Sequence, residues 1–579
     1  MTSLGEETPD TSSASTGRVV PPSPQPSARP LALSARAAFL RRHLHLLPSG
    51  IACALGFVWL SLTPSLLPRP PLFQGLVSGF AAAAGYGVGV LASWCWSALR
   101  DRPRRAWPRP AHLMLLVGGV VLSVCALLLG AHWQNGAHRL AESQATPVTY
   151  VLLVPPVATL VALLVLATAR GIRAATRRLI ALLQRWTGPR AARAIGVLTV
   201  VLVTVTTASG VLAEAALGAL DRSFAVRDLT TPGWAEQPRS PARSGSEDSL
   251  VPWDSMGREG RVFVAGGPTP DDIEEVTGAP AMEPIRAYAG LGSADDAEAR
   301  AALAVEDLER AGGFDREHLL VVTTTGTGWV EPSAASGFEF VAGGDSAIVS
   351  MQYSHLPSWV SFMVDARRAR EAGRSLFDAV YRRWTELPAA DRPDLYVFGE
   401  SLGSFGAEEA FSGEFDLANR TTGALFVGPP NFNELWSELV EERDPGSPEI
   451  EPVYRDGRTI RLTTRASSPP PSGRPWEGSR VLYLQHASDP VTWWSPDLLL
   501  QRPDWLEEQR GADVPGSMHW APLVTFFQVS ADLAMAFSTE PGHGHNFSGE
   551  HAAAWVQLLQ PAGWTEDMTD ELRQMLRRP

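Results

Sequence analysis

The sequence predicts two parts: a multi-span α-helical membrane domain, and an α/β domain whose mostly parallel sheet carries helices on both faces. The first part rests on apolar segments of about 20 residues, enough to cross a bilayer, which recur up to residue 220. The second rests on strands that alternate with helices from residue 261 onward. Charge also divides the chain near residue 220. Residues 1–220 hold 19 arginines and 6 acidic residues, whereas the remainder holds 30 arginines and 56 acidic residues.

The membrane part follows an N-terminal tail. Residues 1–35 are rich in Ser, Thr, Pro and Gly and have no apolar period, so we predict that they are disordered. Residues 36–220 form the predicted membrane domain. Its five predicted spans are 44–66, 72–98, 111–133, 148–169 and 194–217. The alternative, five buried helices of a soluble protein, fits poorly because arginine clusters separate the segments.

The loops between the predicted spans alternate between arginine-rich and nearly uncharged. The arginines of the rich loops are Arg36, Arg41, Arg42, Arg100, Arg102, Arg104, Arg105, Arg109, Arg170, Arg173, Arg177, Arg178, Arg185, Arg190 and Arg193. The other loops carry only Arg69 and Arg139. Because positively charged loops stay in the cytoplasm, we predict a multi-pass protein of the cell membrane. Its N-terminus is then cytoplasmic, its α/β domain is extracytoplasmic, and the lipid bilayer is an expected partner.

The second half reads as a linker followed by the α/β domain. The polar residues 221–260 form the predicted linker, and the domain occupies 261–579. Its predicted strands are 261–265, 319–325, 347–353, 395–398, 422–427 and 481–485, and its predicted helices are 295–311, 359–387 and 524–537. The interval of about 431–480 exceeds a simple crossover, so we predict a cap insertion there. The acidic surplus argues against nucleic acid as a partner, because phosphates would not be neutralised.

A Gly-x-Ser-x-Gly motif lies in the middle of this domain. Gly399, Ser401 and Gly403 follow the predicted strand 395–398 and precede a helix-compatible run at 407–411. A sharp strand-to-helix turn of this kind is a nucleophile elbow, which presents a serine above the end of a sheet. One such match can arise by chance among 51 glycines, but the flanking strand and helix make Ser401 the candidate nucleophile.

Composition removes the competing nucleophiles. The chain contains no lysine, which excludes a Schiff-base enzyme, a complete Walker A loop and a Ser/Lys dyad. The three cysteines, Cys53, Cys95 and Cys125, all lie in the first half. Residues 221–579 therefore have no thiol nucleophile, no disulfide and no cysteine metal site.

An acid and a base follow Ser401 in the order that this kind of sheet requires. Asp489 comes after the predicted strand 481–485, where open α/β sheets gather functional groups, although an aspartate before proline also forms ordinary turns. His543 and His545 lie in a glycine-flanked loop after the helix 524–537. We predict His545 as general base and keep His543 as second choice. No further ligand has tight spacing with this pair, so we predict neither metal nor cofactor.

An oxyanion hole requires two N–H donors. The residue after the nucleophile, Leu402, supplies the first, and the glycine-rich loop after an early strand supplies the second through Thr327 or Gly328, although this loop also fits an ordinary glycine turn. Tryptophans near these loops fit an acyl or lipid pocket, anchors at the bilayer surface or ordinary packing. They are Trp329, Trp359, Trp493, Trp494 and Trp520.

Taken together, these motifs resemble a bacterial, mainly actinobacterial, membrane-anchored α/β-hydrolase family with a multi-span N-terminal domain. The resemblance covers most of 45–565 and rests on the motifs at 251–254, 323–329, 353–359, 399–403, 488–494 and 542–545. It implies a serine hydrolase with an α/β-hydrolase fold that uses Ser401, Asp489 and a histidine of the last motif. The resemblance supplies no substrate.

Three functions fit these observations. The leading hypothesis is a membrane-tethered, extracytoplasmic serine esterase or lipase that acts on an acyl ester or lipid-like substrate through an acyl-enzyme. The second is an acyltransferase that passes the same acyl group to a cell-envelope lipid or glycan. The third is a membrane scaffold whose hydrolase-like domain has no activity.

Overall fold

The computed structural model of the chain describes residues 46–100, 108–209, 227–356, 366–467 and 474–577. The predicted disordered tail lies outside the described residues, and so does the C-terminal part of the fifth predicted span. The same holds for six arginines of the predicted cytoplasmic clusters, Arg36, Arg41, Arg42, Arg102, Arg104 and Arg105.

In the part of the chain that the structure describes, five apolar helices come first. They are α1 (Pro48–Ser61), α2 (Pro71–Leu99), α3 (Arg109–Leu140), α4 (Thr149–Leu183) and α5 (Pro189–Ser209). Among the described residues, α2, α3 and α4 are long and apolar enough to cross a membrane. The 14 residues of α1 are too few, because they extend only about 21 Å and hydrocarbon is roughly 30 Å thick. The prediction of a full first span at 44–66 is therefore wrong at its C-terminal end, where the helix stops at Ser61.

The surfaces of α3 and α4 are apolar and open. Leu113 and Val120 on α3 and Leu160 and Leu164 on α4 are each more than half exposed. Water disfavours a continuous apolar surface of this extent, whereas lipid chains cover it at no cost. The two helices thus have the surface expected of membrane spans.

Seven parallel strands form a single sheet in the order β1-β3-β2-β4-β5-β7-β6. The strands are β1 (Ile285–Ala289), β2 (His318–Thr323), β3 (Ser346–Met351), β4 (Asp394–Glu400), β5 (Gly423–Val427), β6 (Ile460–Thr463) and β7 (Arg480–Leu484). Leu319 and Val321 enter one apolar core and Leu320 and Val322 enter another, so both faces of the sheet are buried. The predicted parallel sheet is confirmed.

Helices cover the two faces. In chain order they are α6 (Gly257–Ala265), α7 (Pro270–Thr277), α8 (Ala297–Arg310), α9 (Pro332–Val341), α10 (Ala366–Glu386), α11 (Leu402–Glu408), α12 (Glu414–Arg420), α13 (Glu434–Glu441), α14 (Pro490–Trp493), α15 (Asp504–Glu507), α16 (Val524–Leu533), α17 (Glu550–Leu559) and α18 (Glu566–Leu576). The loops that carry the candidate site residues follow β2, β4, β7 and α16.

Two predicted elements differ from the structure. Residues 261–265 belong to helix α6 rather than a strand, since burial of Gly260, Phe263 and Val264 follows a helical period. The first strand is instead β1. Part of the predicted cap insertion is sheet, because β6 pairs with β7 at the edge. Residues 468–473 of that interval lie outside the described residues.

The predicted linker is folded against the sheet over part of its length. The Arg286 N–H of β1 donates to the Ala242 carbonyl at 3.0 Å, and the Ser244 N–H donates back to the Arg286 carbonyl at 3.0 Å. The Ser244 hydroxyl also accepts the Tyr288 N–H at 3.0 Å. A segment that reads as polar linker therefore satisfies the open edge of β1.

The turn between α1 and α2 enters the α/β domain. Leu66 and Leu67 are buried in the core on one face of the sheet. The Ser65 hydroxyl donates to the Asp532 carboxylate of α16, and the Gln528 amide donates to the Thr63 carbonyl at 2.9 Å. The turn thus packs against α16, the helix that precedes the predicted base loop.

Replacing Leu67 by alanine is expected to destabilise the α/β domain by about 2–5 kcal/mol, because a fully buried leucine leaves a cavity. Thermal unfolding of the detergent-purified chain measures the effect. Leu72, five residues further along the chain in α2 and mostly exposed, provides the control, and its alanine variant is expected to unfold like the wild type. Equal unfolding temperatures for both variants would contradict the docking of this turn.

Candidate active site

Ser401 sits on a strained turn between β4 and α11. Its backbone has φ 54° and ψ −126°, a conformation that non-glycine residues rarely adopt. The Ser401 N–H donates to the Val427 carbonyl of β5 at 2.8 Å, which fixes the turn to the neighbouring strand. A Cβ on Gly399 would lie 2.5 Å from the Gly403 carbonyl oxygen, and one on Gly403 would strike the Thr323 carbonyl. These contacts explain both glycines of the motif and give the geometry of a nucleophile elbow.

A buried carboxylate and imidazole form the centre of the site. The Nδ1 atom of His545 lies 2.6 Å from the Oδ2 atom of Asp489, and neither side chain is exposed. Asp489 also accepts the Val491 N–H at 2.8 Å and the Thr492 hydroxyl at 3.3 Å. These donors hold the carboxylate in one orientation, so that it can receive the His545 Nδ1–H and leave Nε2 as the basic atom.

The His545 ring lies beside the elbow. A Cβ on Gly428 would come within 2.8 Å of His545 Nδ1, so the ring packs directly on this glycine. Gly428 follows Val427, which pairs with Glu400 in the register of β4 and β5. The ring therefore covers the end of β5 next to Ser401. Its Nε2 atom is buried and has no hydrogen-bond partner among the described residues.

Charge around the ring favours its protonation. Burial opposes protonation of His545, but the adjacent Asp489 carboxylate and its hydrogen bond, together with Glu400 and Glu331, raise the pKa above the usual value. His545, the candidate base, thus needs a higher pH to become neutral than a free histidine, and it binds a proton more firmly once it has accepted one.

The loop that carries His545 is fixed at several points. The Gly544 N–H donates to the Ser488 hydroxyl at 2.9 Å, and the His486 Nδ1–H donates to the Gly544 carbonyl at 2.8 Å. The His545 N–H donates to the Ala536 carbonyl at 2.9 Å. Segments after β7 and after α16 thus hold the loop from both sides, with Gly544 at φ +55°.

The structure separates the two histidines of this loop. His543 lies 4.0 Å from the Asp513 carboxylate, whereas His545 contacts Asp489. Residues two positions apart in the chain therefore have different acidic neighbours. Asp489 and His545 come together, and the second choice for the base does not join them.

The donors predicted for an oxyanion hole differ in availability. The Gly328 N–H donates to the Thr325 carbonyl at 2.9 Å, which removes it from the candidates. The Leu402 and Thr327 N–H groups have no acceptor among the described residues. The Thr327 carbonyl receives the Gln352 amide at 3.1 Å, which holds the peptide between Thr327 and Gly328 in place. Leu402 and Thr327 therefore stay as the predicted pair.

Three of the tryptophans near the site form hydrogen bonds within the α/β domain, as ordinary packing would give. Trp493 is fully buried and donates to the His486 carbonyl at 3.0 Å. Trp494 donates to the Ser530 hydroxyl at 2.8 Å, and Trp520 donates to the Leu498 carbonyl at 3.1 Å. Trp359 lies outside the described residues. The described part of the chain contains no cluster of three metal-ligating side chains.

Sequence reasoning missed one group of polar residues behind the elbow. His551 lies between Glu400, at 3.1 Å from its Nε2, and Ser333, at 2.9 Å from its Nδ1. The Ser333 hydroxyl donates to Glu331 at 2.6 Å. The only signal in the sequence is the position of Glu400, one residue before Ser401.

A parallel sheet with a strained serine between strand and helix defines the class of α/β-hydrolase folds. Residues 285–572 match the model of a family described as alpha/beta-hydrolase family, and residues 62–268 match the model of that family's N-terminus. The chain belongs to this alpha/beta-hydrolase family, which confirms the family and fold that the sequence motifs implied. No curated protein and no solved structure matches the chain. Actinobacterial origin and membrane anchoring stay predictions.

Proposed function

We propose that the protein is a membrane-tethered serine hydrolase of the esterase or lipase type, with Ser401 as nucleophile, His545 as base and Asp489 as the acid that orients it. The observation that carries this proposal is the buried 2.6 Å contact between Asp489 and His545, whose Nε2 atom lies beside the elbow and has no hydrogen-bond partner in the described part of the chain. A buried ring nitrogen without a hydrogen bond lowers the stability of the folded protein, and a catalytic role is one explanation for such an atom.

The proposed reaction proceeds through an acyl-enzyme. His545 Nε2 takes the Ser401 hydroxyl proton while the serine oxygen attacks the ester carbonyl, and the Leu402 and Thr327 N–H groups bind the oxyanion. The proton then passes to the leaving alcohol. Water repeats the sequence on the acyl-enzyme, with His545 again as base, and the acid product leaves. Asp489 stabilises the imidazolium that forms in both halves.

Orientation in the membrane forms part of the proposal. Tyr150 and Val154 at the start of α4 pack against Leu62, next to the turn that enters the α/β domain. Arg173 lies 19 residues beyond Val154 along α4, about 29 Å at 1.5 Å per residue, and Arg177 lies one turn further. That distance matches the hydrocarbon thickness and supports an extracytoplasmic α/β domain opposite a cytoplasmic arginine cluster. Protease added to intact cells is expected to cut the domain, and full protection before lysis would contradict this orientation.

A fluorophosphonate probe tests the chemistry directly. The probe phosphonylates an activated serine, so the detergent-purified chain is expected to become labelled at Ser401, as peptide mapping by mass spectrometry would show. A chain that stays unlabelled while it hydrolyses no ester would favour the scaffold alternative. Product analysis with and without lipid or glycan acceptors then separates hydrolysis from acyl transfer.

Replacing Asp489 by asparagine is expected to lower kcat/KM for an activated ester by about 10⁴-fold, because an amide in place of the carboxylate stabilises the wrong imidazole tautomer. Steady-state kinetics measures the loss. Asp513→Asn is the matched control, since Asp513 accepts the Ser488 hydroxyl at 2.5 Å and does not contact His545. A similar loss in both variants would contradict the assigned role of Asp489.

A further inference from the structure

Three loops of the proposed active site meet in one buried chain of polar side chains. Glu400 ends β4 directly before the nucleophile. Glu331 lies between the glycine-rich loop and α9, and Ser333 lies in the first turn of α9. His551 lies in the first turn of α17, six residues after His545. All but Glu331 are almost fully buried. The chain runs from Glu400 through His551 and Ser333 to Glu331, with contacts of 3.1, 2.9 and 2.6 Å.

The direction of the hydrogen bonds fixes the protons. The Ser333 hydroxyl gives its single hydrogen to Glu331, so it must accept from the Nδ1–H of His551. His551 Nε2 and the Glu400 carboxyl then share one more proton across 3.1 Å. With Glu331 ionised, the group made of Glu331, His551 and Glu400 carries one net negative charge wherever that proton rests.

We propose that Glu400 and His551 are positioning residues for the proposed serine hydrolase: their chain with Ser333 and Glu331 ties together the elbow, the glycine-rich loop and the base loop, and its negative charge stabilises His545 when it holds the serine proton. This inference rests on the proposed function and adds an electrostatic support that the Ser401, His545 and Asp489 set does not contain.

The surrounding charges agree with this arrangement. Burial, followed by the charge of Glu400, raises the pKa of Glu331, so the two carboxyl groups interact electrostatically. Burial opposes protonation of His551, but its hydrogen bond to Glu400 and the charge of that group raise the pKa overall. The charged groups facing the two imidazoles from the packed elements are Asp489, Glu400, Glu331 and Glu550. The loop around His545 is also approached by His486 and Asp513.

A second nucleophile at Ser333 is the alternative use of this chain. The Ser333 hydroxyl is buried, and it donates to Glu331, so its lone pairs point to His551 and not to open space. A hydroxyl in this position cannot meet an ester carbonyl without breaking the chain. The group therefore supports Ser401 and does not duplicate it.

The test is the pH profile of fluorophosphonate labelling at Ser401 in Glu400→Gln. Labelling requires neutral His545, so the rate rises with pH as this ring loses its proton. Removing the negative charge is expected to move the acid limb of the profile to lower pH and, because protonated His545 is less stable in the transition state, to lower the plateau about 10- to 100-fold. A loss of structure alone would lower the plateau without moving the limb.

Companion variants keep the result interpretable. Glu400→Asp retains the charge and is expected to restore the wild-type acid limb, and Glu409→Gln, which removes a carboxylate that pairs with Arg374 at the surface, is expected to change neither limb nor plateau. If Glu400→Gln does not fold, Glu331→Gln removes charge from the other end of the chain and is judged by the same shift.

Two negative outcomes are distinguishable. Wild-type chain that is not labelled at Ser401 overturns the proposed function and this inference with it. Wild-type chain that is labelled, with an unmoved acid limb in folded Glu400→Gln or Glu331→Gln, overturns the positioning role alone and leaves the hydrolase standing.

Discussion

Replacing Ser401 by alanine is expected to abolish fluorophosphonate labelling and to lower kcat for ester hydrolysis by about 10⁶-fold, the loss that follows removal of a triad serine. The physical reason is that alanine offers no oxygen to form the acyl-enzyme, while the oxyanion donors and substrate contacts keep a small residual rate. In-gel fluorescence of the labelled chain and steady-state hydrolysis measure the two effects.

The matched control is Ser404→Ala. Ser404 lies one turn further along α11 and is equally buried, but its hydroxyl donates to the Ser401 carbonyl at 2.7 Å and so is engaged in the helix. This variant is expected to retain labelling. If Ser401→Ala unfolds at the wild-type temperature and is still labelled, the nucleophile lies elsewhere.

Replacing His545 by glutamine is expected to lower kcat by a similar factor of about 10⁶, because no other group among the described residues joins the Asp489 carboxylate to a free basic nitrogen. Glutamine can donate to Asp489 but cannot take a proton from Ser401. Single-turnover acylation by an activated ester isolates this step from deacylation.

His543→Gln provides the comparison within the same loop. Its imidazole faces Asp513 at 4.0 Å, so the substitution is expected to change kcat by less than tenfold. A large loss in His543→Gln together with a small loss in His545→Gln would reverse the assignment of the base.

Local patterns predicted much of the α/β domain because its strands are buried on both faces. Near-continuous apolar runs such as 319–325 and 422–427 stand out in a sequence with polar turns. The exception is informative: the apolar run at 261–265 suggested a strand, but these residues form a helix whose Phe263 and Val264 are buried in the same core as Tyr288 of β1. Tertiary packing decides the structure of so short an apolar run, since five residues fit either a helical or a strand period.

In the predicted membrane part, too, local sequence predicted some features and tertiary packing decided others. Length and hydropathy identified α2, α3 and α4, because crossing hydrocarbon imposes a length that composition alone reveals. The sequence did not predict where residues 62–70 pack, since Leu66 and Leu67 look like the end of an apolar span. Only their partners on α16, more than 450 residues away in the chain, make them part of the other domain.

The sequence by itself determined the family and the parallel sheet, and it predicted the serine as nucleophile and the order of serine, acid and histidine, because each depends on residue type and local spacing. Only the tertiary structure decided that Asp489 meets His545 and not His543, that Gly328 has no free N–H, and that Glu400 reaches His551 across 151 positions. These are contacts between segments distant in the chain. Their geometry depends on how helices pack on the sheet, and that packing cannot be predicted from local sequence.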